Sequence, residues 1–354
     1  MTRARDLGIA LPGRPGTHNA LTDVPGVEVG YTTLVEGASV RTGVTAILPR
    51  GRAGFAVPCA AGTSSLNGNG EMTGTAWLAE TGSLTLPVLI TNTHAVGPAH
   101  RGVIDWVVRE RPDVAAEWLL PVVAETWDGY LNDINAPTLR SGHTVAAIDA
   151  ARPGPVAEGS VGGGTGMTCY GFKGGTGTAS RVVAHGADEY TVGVLVQANF
   201  GSRRELTVAG APVGLSLTGD NPMEDWAPAP AGAGSVIVVV GTDAPLLPGQ
   251  CTALARRVPL GLARTGTTGS HFSGDLFLAF STANPGALTS TFPRTAAAEY
   301  ESLRFVPWGR IDPFFEAVVQ AVEEAVLNAL VAGRETTGHR GRRVPGLPLS
   351  HWLG

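Results

Sequence analysis

The segment from Ala263 to Gly286 holds the residues whose types and spacing are best suited to chemistry. A loop rich in glycine and hydroxyl side chains, RTGTTGSHF, runs into an apolar stretch, DLFLAFST, and Ser273 stands at the junction. If the peptide bond before Ser273 is broken, its hydroxyl becomes a nucleophile and its new α-amine becomes the base beside it. An α-amine has an unperturbed pKa of about 7.7–8.0, so it accepts a proton at neutral pH without a separate histidine.

Serine also supports the cleavage that would expose it. Its hydroxyl attacks the preceding carbonyl carbon to form an ester, which water then hydrolyses. Composition alone favours a simpler explanation, a serine-rich loop in front of a strand. The choice between the two therefore depends on the rest of the chain.

Other motifs for catalysis or cofactor binding are absent or incomplete in the sequence. The run GGGTGM lacks the Lys-Ser/Thr ending of a phosphate-binding loop and the acidic residue of a dinucleotide site, so close backbone approach to a peptide ligand explains it better. There is no GxSxG, which disfavours a conventional α/β-hydrolase triad. His94 and His100 have no carboxylate in register, and the three cysteines are widely spaced. We therefore expect no metal, no organic cofactor and no disulfide framework.

The composition is that of a globular protein with a large core. Hydrophobic residues make up 43% and charged residues 16% of the 354 residues. The net charge is −5 and no run of Lys and Arg forms a basic stripe, so nucleic acid is not an expected partner. The first residues contain no apolar stretch of secretory length, and runs such as SVIVVVG are too short to span a bilayer. We expect a cytoplasmic protein without a membrane partner.

Interleaved strands and helices must position this chemistry. Short apolar segments between glycine turns, such as GVEVGYTTL, RTGVTAILPR, LPVLITNT, YTVGVLVQANFG and SVIVVVG, predict strands, and HTVAAIDAA is interpreted as another. The pattern is helical from Val96 to Glu125, and residues 248–264 predict a helix with an internal proline break. The clearest helix has Asp312 as its N-cap, Pro313 as its first residue and Gly333 as its stop. The absence of a boundary in the sequence indicates one α/β domain.

Most of the chain resembles one family of enzymes. In order, TDVPGVEVGYTT, NGNGEMTGTAWLAETG, PVLITNTHAVG, ETWDGYLNDIN, EGSVGGGTGM, GVLVQANFG, TDAPLLPGQ, SGDLFLAFST and EAVVQAVEEAVLNAL resemble segments of the DmpA-type aminopeptidases (L-aminopeptidase/D-esterase and β-peptidyl aminopeptidase relatives). The resemblance implies a four-layer αββα sandwich, similar in architecture to N-terminal-nucleophile (Ntn) hydrolases but with its own topology. It also implies a single domain, residues 1–354, that cuts itself into an α chain, residues 1–272, and a β chain, residues 273–354.

The activity implied by the resemblance is the removal of N-terminal residues from small peptides, amides or esters. It requires no cofactor, and the family suggests a homo-oligomer of four αβ units. In the family, the serine immediately before Gly-Asp becomes the N-terminus of the β chain, which here is Ser273. Its predecessor is usually Gly or Asn, whereas this chain has Phe272, and Gly269–Ser270 offers a second Gly-Ser bond three residues earlier. We favour Ser273 because SGDLFLAFST is the better match.

Two positions compete for the role of oxyanion donor. Asn199, in QANFG, ends a predicted strand, where its side-chain amide could donate to a tetrahedral oxyanion, although a turn asparagine followed by Phe and Gly is equally well explained. The family offers a second candidate, the Asn of a TNAPL-like segment. This chain has Asp243 there, and an ionised carboxylate cannot donate. We therefore favour Asn199.

Three further residues have side chains that could act in the site. Tyr170, after the glycine cluster, resembles a family tyrosine that orients the nucleophile or the substrate carbonyl, but a tyrosine between glycines is commonly a packing residue. Glu158 is a candidate anchor for the free amine of the substrate, because an aminopeptidase needs a carboxylate to hold that cation; an exposed loop glutamate is the alternative. Asp312 is explained by its N-cap position and is left out of the catalytic set.

Two alternatives to an aminopeptidase remain open at this point. The same self-cleaving scaffold supports amidase, esterase or acyltransferase activity. If Phe272 blocks processing, the chain would instead be an uncleaved small-molecule-binding protein. Preference for L-, D- or β-amino acids depends on the shape of the pocket, which the sequence does not give.

Overall fold

The computed structural model describes residues 2–224, 226, 232–292 and 299–351. Its strands form two main sheets and two short ribbons. The bounds are β1 (Glu28–Glu36), β2 (Val40–Leu48), β3 (Cys59–Gly68), β4 (Ser83–Leu84), β5 (Val88–Asn92), β6 (Val122–Thr126), β7 (Thr168–Cys169), β8 (Phe172–Lys173), β9 (Gly175–His185), β10 (Asp188–Asn199), β11 (Gly234–Thr242), β12 (Ser273–Ser281), β13 (Thr336–Thr337) and β14 (Arg343–Val344). The sheets have the strand orders β1-β2-β5-β6 and β4-β3-β12-β11-β10-β9.

Six α-helices flank the sheets in the described part of the chain. They are α1 (Thr75–Thr81), α2 (Val96–Glu110), α3 (Ser141–Asp149), α4 (Pro248–Ala255), α5 (Val258–Arg264) and α6 (Asp312–Ala332). Helices α2 and α3 pack on the four-stranded sheet, and α4, α5 and α6 pack on the six-stranded sheet. A break is present between α4 and α5, but it falls at residues 256–257, and Pro259, where it was predicted, is the second residue of α5.

Three apolar cores fill the spaces between these layers. The central core joins the inner faces of the two sheets, with Ile47 and Ile90 from one sheet facing Leu195 and Leu278 from the other. A second core lies between the four-stranded sheet and α2 and α3, and a third lies between the six-stranded sheet and α4, α5 and α6. Burying both faces of each sheet gives the order helix, sheet, sheet, helix. The predicted four-layer αββα sandwich is confirmed.

Helix α6 is buried along most of its length. Residues from Ala317 to Ala332 are buried because the helix lies across β9 and β10. Its acidic Glu324 is compensated by two guanidinium groups, with Nη2 of Arg181 at 2.7 Å and Nε of Arg5 at 2.9 Å. The helix begins one residue earlier than predicted, because Ile311 holds the cap position and Asp312 is the first helical residue.

Two local predictions are wrong. The segment HTVAAIDAA lies in α3, where Thr144, Ala147 and Ile148 are buried at helical spacing against α2 and the sheet. The helical pattern that was extended to Glu125 ends with α2, and the chain then enters β6. Both errors concern short apolar segments, for which tertiary packing decides between helix and strand.

None of the described helices combines the length and the apolar character needed to cross a bilayer. Cys59, Cys169 and Cys251 are all buried and unpaired.

Candidate active site

Ser273 is the first residue of β12, in the middle of the six-stranded sheet. It pairs with Gly234, the first residue of the parallel strand β11, and the antiparallel strand β3 lies on the other side. The serine is only 2% exposed because the preceding loop covers it. Ser273 therefore stands where the loop ends and the strand begins.

The hydroxyl of Ser273 has a carboxylate partner two residues along the same strand. It donates a hydrogen bond of 2.6 Å to Oδ1 of Asp275, as expected when residues i and i+2 share one face of a strand. The other carboxylate oxygen accepts a 2.9 Å bond from Nδ2 of Asn67 on β3. Burial raises the pKa of Asp275, and the hydrogen bonds from Ser273 and Asn67 oppose that rise. The carboxylate is thus oriented to accept a proton from the serine.

The carbonyl of Phe272, on the bond that would be cut, has two hydrogen-bond donors. Nδ2 of Asn69 lies 3.1 Å from this oxygen, and the backbone N–H of Gly234 lies 3.4 Å from it. Gly274 allows Asn69 to come so close, because a Cβ on Gly274 would meet the Asn69 carbonyl at 2.3 Å. The longer bond, from Gly234, continues the ladder between β11 and β12, and the bond from Asn69 is a side-chain contact added to it.

The alternative bond before Ser270 lacks these features. Within the described residues, no donor contacts the Gly269 carbonyl, while the carbonyl of Ser270 accepts bonds from Asn67 Nδ2 at 3.0 Å and Ser273 N at 2.9 Å. Those two bonds hold the loop in place next to Ser273. Of the two serines, Ser273 is the one whose preceding carbonyl accepts bonds from Asn69 and Gly234.

A cavity of about 830 Å³ is lined by Phe272, Gly234 and Ser235, and Ser273 is not part of its lining. Phe272 forms part of its wall, with a side chain that is 56% exposed. The opposite parts of the lining include Glu125, Trp127 and Trp226, and the two indole rings stack with centroids 5.3 Å apart. The volume is that of a small-molecule site, and the aromatic wall suits an apolar side chain.

Glu125, at the end of β6, supplies a carboxylate to the cavity near the nucleophile. Its Oε1 accepts a 2.9 Å bond from the backbone N–H of Glu71, and Thr93 donates its hydroxyl to Oε2. Glu125 lies close to the start of β12. A Cβ placed on Gly70 would lie 3.2 Å from Oε1 of Glu125 and 3.1 Å from Cα of Gly274, so the space between the carboxylate and β12 is about one carbon atom wide. Burial raises the pKa of Glu125, and the bond from Thr93 opposes that rise.

Glu125 was not among the site residues predicted from the sequence. The signal was present in ETWDGYLNDIN, where a carboxylate and an aromatic residue end a buried strand. Glu158 was selected instead, and the structure places it elsewhere. Its carboxylate binds Nε of Arg3 at 2.9 Å and the N–H of Thr178 at 3.0 Å, and it does not line the cavity. The assignment of the substrate amine to Glu158 is corrected, because Arg3 already compensates its charge.

Asn199 lines the cavity, but both ends of its amide are engaged. Nδ2 donates to the carbonyl of Trp127 at 2.9 Å, and Oδ1 accepts from the N–H of Thr168 at 2.9 Å. The donors on the Phe272 carbonyl are other groups, so Asn199 shapes the wall in this state. Asp243 lies just beyond the far end of β11, about 30 Å from Ser273 at ~3.3 Å per residue.

Tyr170 braces the loop that leads to the nucleophile and does not line the cavity. Its hydroxyl lies 2.7 Å from Oγ1 of Thr265 and accepts a 3.1 Å bond from the N–H of Thr267. The residue has a positive φ of 53°, and burial raises the pKa of its phenol well above the usual value. Tyr170 thus contacts neither Ser273 nor the Phe272 carbonyl directly.

Among the described residues, no group of three or more His, Cys, Asp or Glu side chains is placed to hold a metal ion.

Comparisons with known proteins find similar sequences and structures. The model of peptidase family S58 matches residues 19–344. The chain is 48% identical to the β-peptidyl aminopeptidase BapA of Sphingosinicella microcystinivorans and 45% identical to that of Sphingosinicella xenopeptidilytica, in both cases over 98% of this chain and 89% of the relative.

Solved structures are similar over the whole length. A β-aminopeptidase from a Burkholderia species superposes with a TM-score of 0.92 at 48% identity, covering 99% of this chain and 97% of its own. The L-aminopeptidase D-Ala-esterase/amidase of Ochrobactrum anthropi superposes with a TM-score of 0.91 at 42% identity, covering 100% and 97%. That enzyme is described as a prototype of the serine aminopeptidases and a new variant of the Ntn hydrolase fold.

Proposed function

The chain belongs to peptidase family S58 and is a serine aminopeptidase with an Ntn-hydrolase fold, and from this premise we propose that it cuts itself between Phe272 and Ser273. The proposal rests on the hydrogen bonds made around this one peptide bond. Its carbonyl has two donors, Asn69 and Gly234, and its following hydroxyl has an acceptor, Asp275, at 2.6 Å. The carbonyl of Phe272, as the electrophile, and the hydroxyl of Ser273, as the nucleophile, are thus adjacent and each is hydrogen-bonded.

Self-cleavage proceeds by transfer of an acyl group from nitrogen to oxygen. Oγ of Ser273 attacks the carbonyl carbon of Phe272 and gives its proton to Asp275. The C–N bond then breaks, and the proton passes from Asp275 to the departing amine. Water hydrolyses the resulting ester, which leaves a carboxylate on Phe272 and a free hydroxyl and α-amine on Ser273.

The mature enzyme uses the same serine on its substrate. The α-amine of Ser273 accepts the proton from Oγ as it attacks the first carbonyl of the substrate, and returns that proton to the leaving amine. Water then releases the acyl group from Oγ. Since the substrate carries a free ammonium group, Glu125 is the side chain proposed to hold it, in place of Glu158. Trp127 and Trp226 accept the side chain of the substrate.

We propose that the preferred N-terminal residues are β-amino acids. The two β-peptidyl aminopeptidases and the β-aminopeptidase support this, at 45% to 48% identity over nearly the whole chain. A second candidate is release of L-α-amino acids, which is favoured by the 42% identity to the L-aminopeptidase. The substrate must extend between Glu125 and Oγ of Ser273, and a β-residue adds one carbon to that span.

Paired chromogenic substrates test this proposal. The purified enzyme should hydrolyse the p-nitroanilide of β-alanine with a kcat/KM at least ten times that of L-alanine, and Ser273→Ala should abolish both reactions. A preference for the L-alanine compound would establish the second candidate. Faster transfer of the acyl group to an added amine than to water would identify an acyltransferase, and no turnover of either compound would contradict the aminopeptidase.

An assembly of four αβ units remains a proposal from the family resemblance. Its support is an exposed aromatic pair, Trp118 and Phe292, with ring centroids 5.3 Å apart and with Trp118 82% exposed. Exposed aromatic surface of this kind is commonly covered in an assembly. Sedimentation of the purified protein tests it, and a monomeric αβ unit would contradict it. The cytoplasmic location likewise stays a prediction.

A further inference from the structure

We propose that Arg204 binds the C-terminal carboxylate of the substrate, so that the enzyme prefers short peptides with a free carboxyl group to the corresponding amides. This role rests on the proposed aminopeptidase activity and adds to it the chemistry of the other end of the substrate. It does not depend on which serine is the nucleophile.

One continuous segment of the chain forms a wall of the cavity, from its inner end to its open end. Residues 199–204 all line the cavity. The segment begins at Asn199, which is buried and donates to the carbonyl of Trp127 at 2.9 Å, and it ends at Arg204, which is exposed. Glu125, on the same side as Trp127, is also buried. The carboxylate of Glu125 therefore lies at the inner end of the cavity, and Arg204 lies at the open end.

The turn that carries Arg204 is held in place by the residue before it. Arg203 is buried, and its guanidinium stacks on the ring of Phe172, 3.4 Å from the centroid. All five of its N–H groups are used, at 2.6–3.3 Å, by the backbone carbonyls of Tyr170, Gly171, Leu217, Gly219 and Asp220. Arg203 thus anchors the turn and has no donor left for a substrate.

Arg204 differs from Arg203 in having its donors available. Within the described residues, its guanidinium makes no ion pair and no hydrogen bond. Glu224, the exposed carboxylate in the lining, accepts a 3.3 Å bond from Nδ2 of Asn221. A guanidinium with available N–H groups binds a carboxylate through two parallel hydrogen bonds, which a neutral amide does not match.

The charges of the cavity match the two ends of a short peptide. Such a peptide has an ammonium group at one end and a carboxylate at the other. Glu125 supplies a negative charge at the inner end of the cavity, and Arg204 supplies a positive charge at the open end. With a volume of about 830 Å³, the cavity accommodates a ligand of this size. Amidation of the C-terminus removes the charge that Arg204 recognises and changes little else.

The test compares β-alanyl-L-alanine with its C-terminal amide, and L-alanyl-L-alanine with its amide, on the purified full-length enzyme. Release of the N-terminal amino acid is measured for the wild type and for Arg204→Gln. We expect the wild type to have a lower KM for the acid than for the amide. Arg204→Gln should raise the KM of the acid about 5–10-fold, chiefly without a change in kcat, because the contact is made equally in the bound substrate and in the transition state.

Two further variants separate a binding site from a general effect of charge. Arg204→Lys should recover part of the preference for the acid, because lysine keeps the charge but loses the planar fork. Arg256→Gln is the matched control, because Arg256 is also exposed but lies outside the cavity. This control should keep the full preference of the wild type.

The outcomes distinguish this role from the proposed function. Equal KM values for acid and amide in the wild type, or an undiminished preference in Arg204→Gln, would overturn the role of Arg204 and leave the aminopeptidase in place. An equal loss of preference in Arg256→Gln would also overturn it, since net charge and not a site would then be responsible. Hydrolysis of none of the four peptides by the wild type would contradict the aminopeptidase itself.

Discussion

The hydroxyl of Ser273 lies 2.6 Å from Oδ1 of Asp275, two residues further along β12. Before cleavage Ser273 has no free α-amine, so the base of the mature enzyme does not yet exist. The carboxylate of Asp275 occupies that role, and Asn67 holds its other oxygen. In the proposed mechanism, the self-cleaving chain and the mature enzyme thus use two different bases for one nucleophile.

Asp275→Asn should therefore slow self-cleavage. The amide has nearly the same shape but does not take the proton of Ser273, and loss of a general base costs about 10²–10⁴-fold in rate. The fraction of full-length chain, followed by mass over hours to days, measures the effect. Cleavage at the wild-type rate would show that another group receives the proton.

The rate of self-cleavage should depend on pH through Asp275. Burial raises the pKa of this carboxyl above its ordinary value, and only the ionised form accepts a proton. Cleavage should therefore be slow below that raised pKa, rise as the pH passes through it, and level off above it. Timed mass measurements in buffers from pH 4 to pH 8 test this on the wild type, and a rate that falls as the pH rises through this range would contradict it.

Glu125→Gln should weaken binding of substrates that carry a free amine. A hydrogen bond to a charged group contributes about 1.5–3 kcal/mol, so KM for β-alanine p-nitroanilide should rise about 10–100-fold. Self-cleavage is an internal control, because Phe272 is joined to His271 and has no free amine. An unchanged KM, or an equal loss in self-cleavage, would argue against an amine anchor at Glu125.

Glu158→Gln should affect stability and leave substrate binding unchanged. The carboxylate pairs with Arg3 and accepts the N–H of Thr178 inside the protein, so its neutral analogue should lower the free energy of unfolding by about 1–2 kcal/mol. Thermal unfolding measures the first effect, and KM per processed unit measures the second. A raised KM with normal stability would restore the role first predicted for Glu158.

The family segments, in order, were enough to predict the four layers. Ser273 was selected by the family match at SGDLFLAFST, because the loop and strand alone favoured an ordinary serine-rich loop. The sequence did not distinguish Glu125 from Glu158, because the choice depends on Arg3, which is 155 residues away from Glu158 in the chain. The donor at Gly234 could not be predicted either, because a backbone N–H is not specific to a residue type.

The error in HTVAAIDAA has a related cause. Its nine residues suit a strand or a helix by composition, and contact with α2 and the four-stranded sheet selects the helix. Asn69 illustrates the same limit, because only the pairing of β3 with β12 brings it to the Phe272 carbonyl.

The most direct test of the account is the intact mass of the purified wild-type chain under denaturing conditions. We predict two species, residues 1–272 and residues 273–354, from a single cut between Phe272 and Ser273. A cut before Ser270 would move the nucleophile by three residues and contradict the assignment of Asp275 and Asn69. A single full-length mass that persists on incubation would contradict the central claim, because Ser273 would then never gain its α-amine.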